Sequence, residues 1–216
     1  MEQEFLFFFL SWSQDKKIYL VGGSDKKKIE RQIPSSVIQR CAGVFCSSGN
    51  ELWIKDQLVY RNDWTPTRDF LSYLSQLYQS SLFTPKGVKF IEKRTGMVNF
   101  SIVGREASYK LRETYHQWDK ENKDREEMAR SIMLDHPNLQ ACIGGQISID
   151  IYPKGQDKSQ ASRWVRENID KNIFFAGDKC FDGGNDHSIY LDVKKHGGVS
   201  VQVEGPNHTA KILANY

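Results

Sequence analysis

Cysteine is scarce in this 216-residue chain, and the four present (Cys41, Cys46, Cys142 and Cys180) form neither a CxxC pair nor any zinc-ligand spacing. They read as reduced thiols of a cytoplasmic protein, not as a disulfide scaffold. Long apolar runs are missing too. The most suspicious one, "FLFFFL" from Phe5 to Leu10, is far short of the roughly 20 residues a bilayer requires. Glu2 and Glu4 are also wrong for the start of a signal peptide, so the run is expected to be a buried helix end, with no membrane partner. Charge of one sign is equally short. Thirty Lys+Arg against 27 Asp+Glu give a net charge of +3, with the lysines spread along the chain, which argues against nucleic acid as a partner. There is no GxGxxG, no P-loop, no HExxH, no internal repeat and no low-complexity linker. What remains is an ordinary globular composition, 39% hydrophobic and 26% charged, long enough for one large domain or two small ones.

The order of patterns is informative. Lys17-Ile-Tyr-Leu-Val21 runs into Gly22-Gly-Ser-Asp25, and a helical pattern follows over 26–33. That is strand, tight loop and helix, with Asp25 placed as the N-cap. Val44-Phe45 reads as another short strand, and 51–61 as a hairpin turning near Lys55-Asp56-Gln57. Phe70, Leu71, Leu74, Leu77 and Tyr78 recur at helical spacing between 65 and 82, behind Thr65-Pro66. Then the character changes. Segments 88–94 and 97–105 alternate around Thr95-Gly96, a polar helical stretch covers 107–135, and 146–152 alternates again. After Pro153 come a helix (157–168), an apolar strand (173–176), a glycine-rich acidic loop, a strand (199–203) and a terminal helix. The fold class is therefore α/β. A Rossmann-like core over 1–82 and 153–216 brackets an inserted α+β cap over 83–152.

In an open α/β sheet, ligands bind beyond the carboxyl ends of the strands. Ser24 lies there in a glycine loop whose N–H groups can face a phosphate. Asp178 follows strand 173–176, Asp186 follows the double glycine, and Lys158 begins the neighbouring helix. Paired acids at strand ends favour a hard cation such as Mg2+, while a serine and a lysine beside it would neutralise phosphoryl oxygens. In 146–152, Gln146, Ser148 and Asp150 fall on one face and Ile147, Ile149 and Ile151 on the other, so one cap face is polar.

The stretches "VGGSD", "FIEKRTGMVNFSIVGR", "IGGQISIDIYPKGQDK" and "FFAGDKCFDGGNDHSIYLD" together resemble the eukaryotic-type phosphomannomutases of the haloacid dehalogenase (HAD) superfamily, from about Lys17 to near the C-terminus. That resemblance implies a HAD-like Rossmannoid core with an inserted α+β cap of type C2b. It also implies interconversion of mannose 6-phosphate and mannose 1-phosphate through an aspartyl phosphate, with Mg2+ and a hexose 1,6-bisphosphate activator. Carried over position by position, Arg94, Arg105 and Arg112 bind the sugar phosphate, and Ser148 and Asp150 contact the same substrate. Ser24, Lys158 and Asp186 form the catalytic set, and Asp178 is a magnesium ligand. Asp192 with the Tyr190 carbonyl matches a second, structural cation site, which Lys195 puts in doubt by standing where the family has threonine. A cytoplasmic homodimer joined through the cap, acting on a hexose phosphate and supplying mannose 1-phosphate for nucleotide-sugar synthesis, is the implied context.

One element of the family pattern is absent. The nucleophile is the first aspartate of a DxDGT motif closing the first strand, and this sequence contains no such motif. The start of the chain corresponds to the helix after that strand. The neighbouring strands are then expected to border an apolar slot, and the chain as written to be poorly stable and without mutase activity. Two alternatives stand beside the mutase: a sugar phosphatase of the same superfamily, with water as acceptor, and a catalytically inert sugar-phosphate-binding remnant.

Overall fold

Asp25 caps a helix, as its place after Val21-Gly-Gly-Ser predicts: its Oδ1 accepts from Lys28 N at 2.9 Å. The computed structural model describes residues 3–216, and the chain divides into two units. The first comprises the residues through Asn62, Gly155–Asp182 and Asp186–Tyr216; the second comprises Asp63–Lys154 and Gly183–Asn185.

The first unit opens with α1 (Gln3–Trp12), β1 (Tyr19–Val21), α2 (Lys26–Gln32) and α3 (Ser35–Arg40). It continues through β2 (Gly43–Cys46), a 3-10 turn (Ser47–Gly49), β3 (Glu51–Ile54) and β4 (Gln57–Arg61). The β3–β4 hairpin turns at Lys55 and Asp56, both left-handed with φ of 46° and 63°, matching the right-handed twist of its strands. A four-stranded sheet runs β1-β2-β3-β4, parallel only between β1 and β2. The aromatic run does form a helix, but the expected burial is corrected: Phe9 is its buried residue while Phe7 is 63% exposed. The rings stack along the helix instead, Phe5 on Phe9 at 6.2 Å.

The rest of this unit is α7 (Ser159–Asn168), β9 (Phe174–Gly177), α8 (His187–Lys195), β10 (Val199–Gln202) and α9 (Pro206–Leu213), the intervening labels belonging to the second unit. Strands β9 and β10 pair in parallel as a separate sheet. Neither β1 nor β9 has a strand partner on its other side among the described residues. A cavity of about 490 Å³ lies there, lined by Tyr19, Val21, Phe45, Ala161, Phe175 and Ile189 among others. Its place beside β1 is where the sequence reading put an apolar slot.

The second unit holds α4 (Arg68–Ser80), β5 (Ile91–Arg94), β6 (Met97–Phe100), α5 (Tyr109–Asn122), α6 (Asp124–Asp135), β7 (Leu139–Gly144) and β8 (Ser148–Pro153). Its antiparallel sheet runs β5-β6-β8-β7. Val98, Phe100, Ile149 and Ile151 pack from one sheet face against Phe70 and Leu74 of α4, Tyr115 of α5 and Ile132 of α6. That packing draws the unit boundary at Asp63, ahead of the 83 read from the sequence, because α4 buries its apolar stripe in this cluster. The polar helical stretch is two helices, broken at Lys123, which adopts φ 57°. No helix among the described residues is long and apolar enough to cross a membrane, and all four cysteines are free thiols.

Candidate active site

In the first unit the acidic loop is closed by its last residue. Strand β9 delivers the chain to an exposed Asp178, and the loop returns at Asp186, which is 5% exposed. Asp186 Oδ1 accepts from Lys158 Nζ at 2.5 Å and its Oδ2 from Lys179 N at 3.1 Å, while its own N–H donates to Lys179 O at 3.0 Å. Gly177 makes room for this carboxylate, since a Cβ there would stand 2.9 Å from Asp186 Oδ2. Lys158, at the head of α7, is itself 6% exposed. Burial alone would push the Asp186 carboxyl up, but the Lys158 ammonium and the Lys179 N–H outweigh it and hold the group below the usual carboxylate range. The side chain of Asp178 is within hydrogen-bonding reach of Asp186. The arrangement is a desolvated ammonium–carboxylate pair beside an exposed acid, at the carboxyl end of a parallel strand.

Ser24 sits at the carboxyl end of β1, half-buried. Its loop is fixed from below: Ser47 N donates to Ser24 O and Ser48 N to Gly22 O, both at 2.9 Å. No hydrogen bond joins Ser24 to the Lys158–Asp186 pair among the described residues. Ser47 and Ser48 were not singled out by the sequence. Both are left-handed, with φ of 49° and 60°, and buried.

The cation sites differ in fit. Among the described residues no group of three or more His, Cys, Asp or Glu side chains is placed to hold a metal ion. Mg2+ is usually bound by one or two carboxylates together with substrate phosphates and retained waters. Asp178, exposed beside Asp186, fits that sparse donor set. Asp192 does not fit a cation. Its Oδ2 accepts from Arg166 Nη1 at 2.9 Å and Ser162 Oγ at 2.6 Å, and His196 Nδ1 lies 3.5 Å from Oδ1. Burial opposes ionisation of Asp192, yet the Arg166 and Ser162 hydrogen bonds prevail and hold its carboxyl below the usual range. The guanidinium already supplies the positive charge there. The structural cation expected at Asp192 and Tyr190 is thus replaced by an internal ion pair between α7 and α8.

In the second unit, register builds a polar row across the sheet. Glu92 of β5 faces Asn99 of β6, which faces Asp150 of β8. Arg94, two residues beyond Glu92, shares its face. Arg94 Nε donates to Glu92 Oε2 at 2.9 Å, its Nη2 reaches the same oxygen, and its Nη1 lies 3.9 Å from Asp150 Oδ1. Arg105 Nη1 approaches that Glu92 oxygen to 3.1 Å. Asp150, 3% exposed, also accepts from Asn99 Nδ2 at 2.7 Å and Asn185 Nδ2 at 3.4 Å. Gly144 clears its space, because a Cβ there would stand 2.6 Å from Asp150 Oδ2.

Arg94, Arg105 and Asp150 are therefore brought together. The other two residues of the predicted set are turned aside. Ser148 Oγ donates to Gly144 O at 2.7 Å. Arg112 Nε donates to Ala107 O at 2.9 Å and its Nη2 to Arg105 O, so two of its donors are spent on the loop after β6. Glu92, Asn99 and Asn185 were missed by the sequence reading. Glu92 carried a usable signal, an acid two residues from an arginine on one strand face. Asn99 becomes visible only once the strand register is known.

Residues 6–216 match a family model described as "Eukaryotic phosphomannomutase". A phosphomannomutase of Triticum aestivum is 34% identical over 219 residues, covering 96% of this chain and 85% of the relative. One of Saccharomyces cerevisiae is 33% identical over 204 residues, covering 91% of this chain and 79% of the relative. A solved HAD subclass IIB sugar phosphatase superimposes with a TM-score of 0.60 at 11% identity, covering 100% of this chain and 91% of that chain. At that identity the likeness establishes the HAD fold alone.

Proposed function

The chain belongs to the eukaryotic phosphomannomutase family, and from that membership we propose that it binds a hexose phosphate through the two charged clusters described above. The observation that carries the proposal is the buried Lys158–Asp186 pair at the carboxyl end of β9, beside the exposed Asp178. A lysine held in a desolvated pair is a fixed positive charge that needs no reorganisation when phosphoryl oxygens gain negative charge. Asp186 fixes its direction and keeps it protonated. Ser24, at the end of β1, offers a hydroxyl and loop N–H groups to the same phosphoryl group.

The non-reacting phosphate goes to Arg105, whose guanidinium is the more open of the paired arginines at 31% side-chain exposure, against 5% for Arg94. A guanidinium fork suits a phosphate dianion. Asp150 and Asn99 border it with groups able to hydrogen-bond sugar hydroxyls. Asp178 would hold Mg2+, which when bound supplies charge neutralisation at the reacting phosphoryl oxygens. The donor for phosphoryl exchange is a hexose 1,6-bisphosphate.

Within residues 1–216 no DxDGT motif provides the attacking carboxylate. We assign these residues to binding and charge stabilisation, with attack supplied from outside them. Incubation of the purified chain with mannose 1-phosphate, Mg2+ and glucose 1,6-bisphosphate, followed by phosphorus NMR, tests this. The expected result is saturable sugar-phosphate binding without conversion to mannose 6-phosphate. Conversion by the chain alone would contradict the assignment of the attack. Phosphate release without the bisphosphate would move the reading to a sugar phosphatase, and failure to bind would remove it.

A further inference from the structure

We infer that Glu92 and Arg112 are positioning residues which together present the Arg105 guanidinium, Glu92 from the side-chain end and Arg112 from the backbone end. The inference rests on the proposal that Arg105 takes the substrate phosphate. It goes further by assigning work to a carboxylate and to an arginine that do not themselves need to touch the ligand.

The geometry is asymmetric. A single oxygen, Glu92 Oε2, gathers Arg94 Nε at 2.9 Å, Arg94 Nη2 and Arg105 Nη1 at 3.1 Å. Two like charges are thereby held side by side, which they would resist without an anion between them. Glu92 can do this because β5 places residues 92 and 94 on one face and because its side chain keeps 27% exposure, whereas that of Arg94 keeps 5%. Arg94 is thus largely committed inside the sheet, bracketed by Glu92 and Asp150.

Arg105 stands on the loop between β6 and α5. Its carbonyl accepts from Arg112 Nη2, and the Ala107 carbonyl accepts from Arg112 Nε at 2.9 Å. Its N–H donates to Lys89 O at 3.0 Å, and Gly104 beside it is left-handed at φ 72°. A guanidinium clamped across two carbonyls of a three-residue loop segment fixes the direction in which residue 105 leaves the backbone. A lysine could carry the charge of Arg112 but not its fork.

Charge and positioning predict opposite signs for one substitution, so they can be separated. E92Q removes a negative charge from a phosphate site. Electrostatics alone would tighten phosphate binding. If Glu92 positions, the amide turns a donor toward two guanidinium groups or accepts from them more weakly, and binding loosens. Calorimetric titration of mannose 1-phosphate, and of inorganic phosphate as the simplest probe, into wild type, R105Q, E92Q, R112K and R112M measures this, with Tm recorded for each.

The expected result is about tenfold weaker binding for E92Q, the equivalent of one charge-assisted hydrogen bond. R112K and R112M should both lose affinity to a similar extent, with Tm close to wild type for R112K. Unchanged or tighter binding by E92Q would overturn the role of Glu92. Wild-type affinity in R112K would overturn that of Arg112. If R105Q binds like wild type, or wild type does not bind, the underlying reading of Arg105 fails and this inference falls with it. If wild type binds and R105Q does not while E92Q and R112K are unaffected, the inference alone fails.

Discussion

The first unit buries its charge as a single closed pair, Lys158 with Asp186, each side chain 7% exposed. The second spreads its charges in a row across a sheet and leaves the outer members open, Glu92 at 27% and Arg105 at 31%. The apolar frames differ in the opposite sense. The second unit has one continuous cluster joining α4, α5, α6 and the sheet, whereas the first carries two short parallel pairs and a cavity of about 490 Å³. Rigidity of charge thus sits on the looser apolar frame, and adaptable charge on the tighter one. A desolvated ion pair is costly to form and costlier to break on one side, so the first unit depends heavily on a few residues.

The largest effect expected from this contrast is at Lys158. In K158M, Asp186 remains buried without its counterion, and the loss should be about 3–5 kcal/mol in denaturant unfolding. In wild type the Asp186 carboxyl lies below its unfolded value of about 3.9. Its contribution is therefore present above that pH and lost as pH falls through the folded value. In K158M burial dominates and the sign reverses, so the variant should gain stability on acidification from pH 7 towards 5. A loss under 1 kcal/mol with no reversal would place the pair in water and erase the contrast.

Next in size is Arg166. With side chains 16% and 13% exposed, the Arg166–Asp192 pair is less buried, and R166M should cost about 1–3 kcal/mol. Because the guanidinium stands in for a cation, the wild-type Tm should not respond selectively to K+ or Na+. A selective rise would return a cation to that site. Asp192, also held low, adds to the stability lost in acid.

A matched pair of core substitutions compares the frames directly. A161L extends a side chain that lines the first unit's cavity and should stabilise by about 0.5–1 kcal/mol. A129L places the same bulk in the second unit's packed cluster and should cost about 1–3 kcal/mol. Equal effects would mean the two frames are equally tight. The smallest effect belongs to the exposed Lys89–Glu106 pair, 64% and 69% exposed, where K89A should change stability by less than about 0.5 kcal/mol.

Local patterns carried the fold well. The β3–β4 and β5–β6 hairpins, the Asp25 cap and the β9–loop–α8 passage were all legible, because alternation, turn residues and capping act within a few positions. Strand β7 escaped because "LQACIG" has no period-two alternation and its register is set by β8. The break at Lys123 escaped because nothing nearby is glycine or proline. The assignment of α4 to the second unit was illegible because its stripe would have suited either sheet. At the site, residue types and rough placement were readable, but the directions of long side chains were not. Arg112 turns back to its own loop, and Asp192 pairs with an arginine on another helix, contacts that depend on tertiary packing and rotamer choice.

The most direct test is titration of mannose 1-phosphate into the 216-residue chain and its R105Q variant at fixed ionic strength. Saturable binding at one site per chain in wild type, lost or weakened at least tenfold in R105Q at unchanged Tm, is the predicted result. Absence of binding by a folded wild-type chain, or equal binding by both proteins, would contradict it.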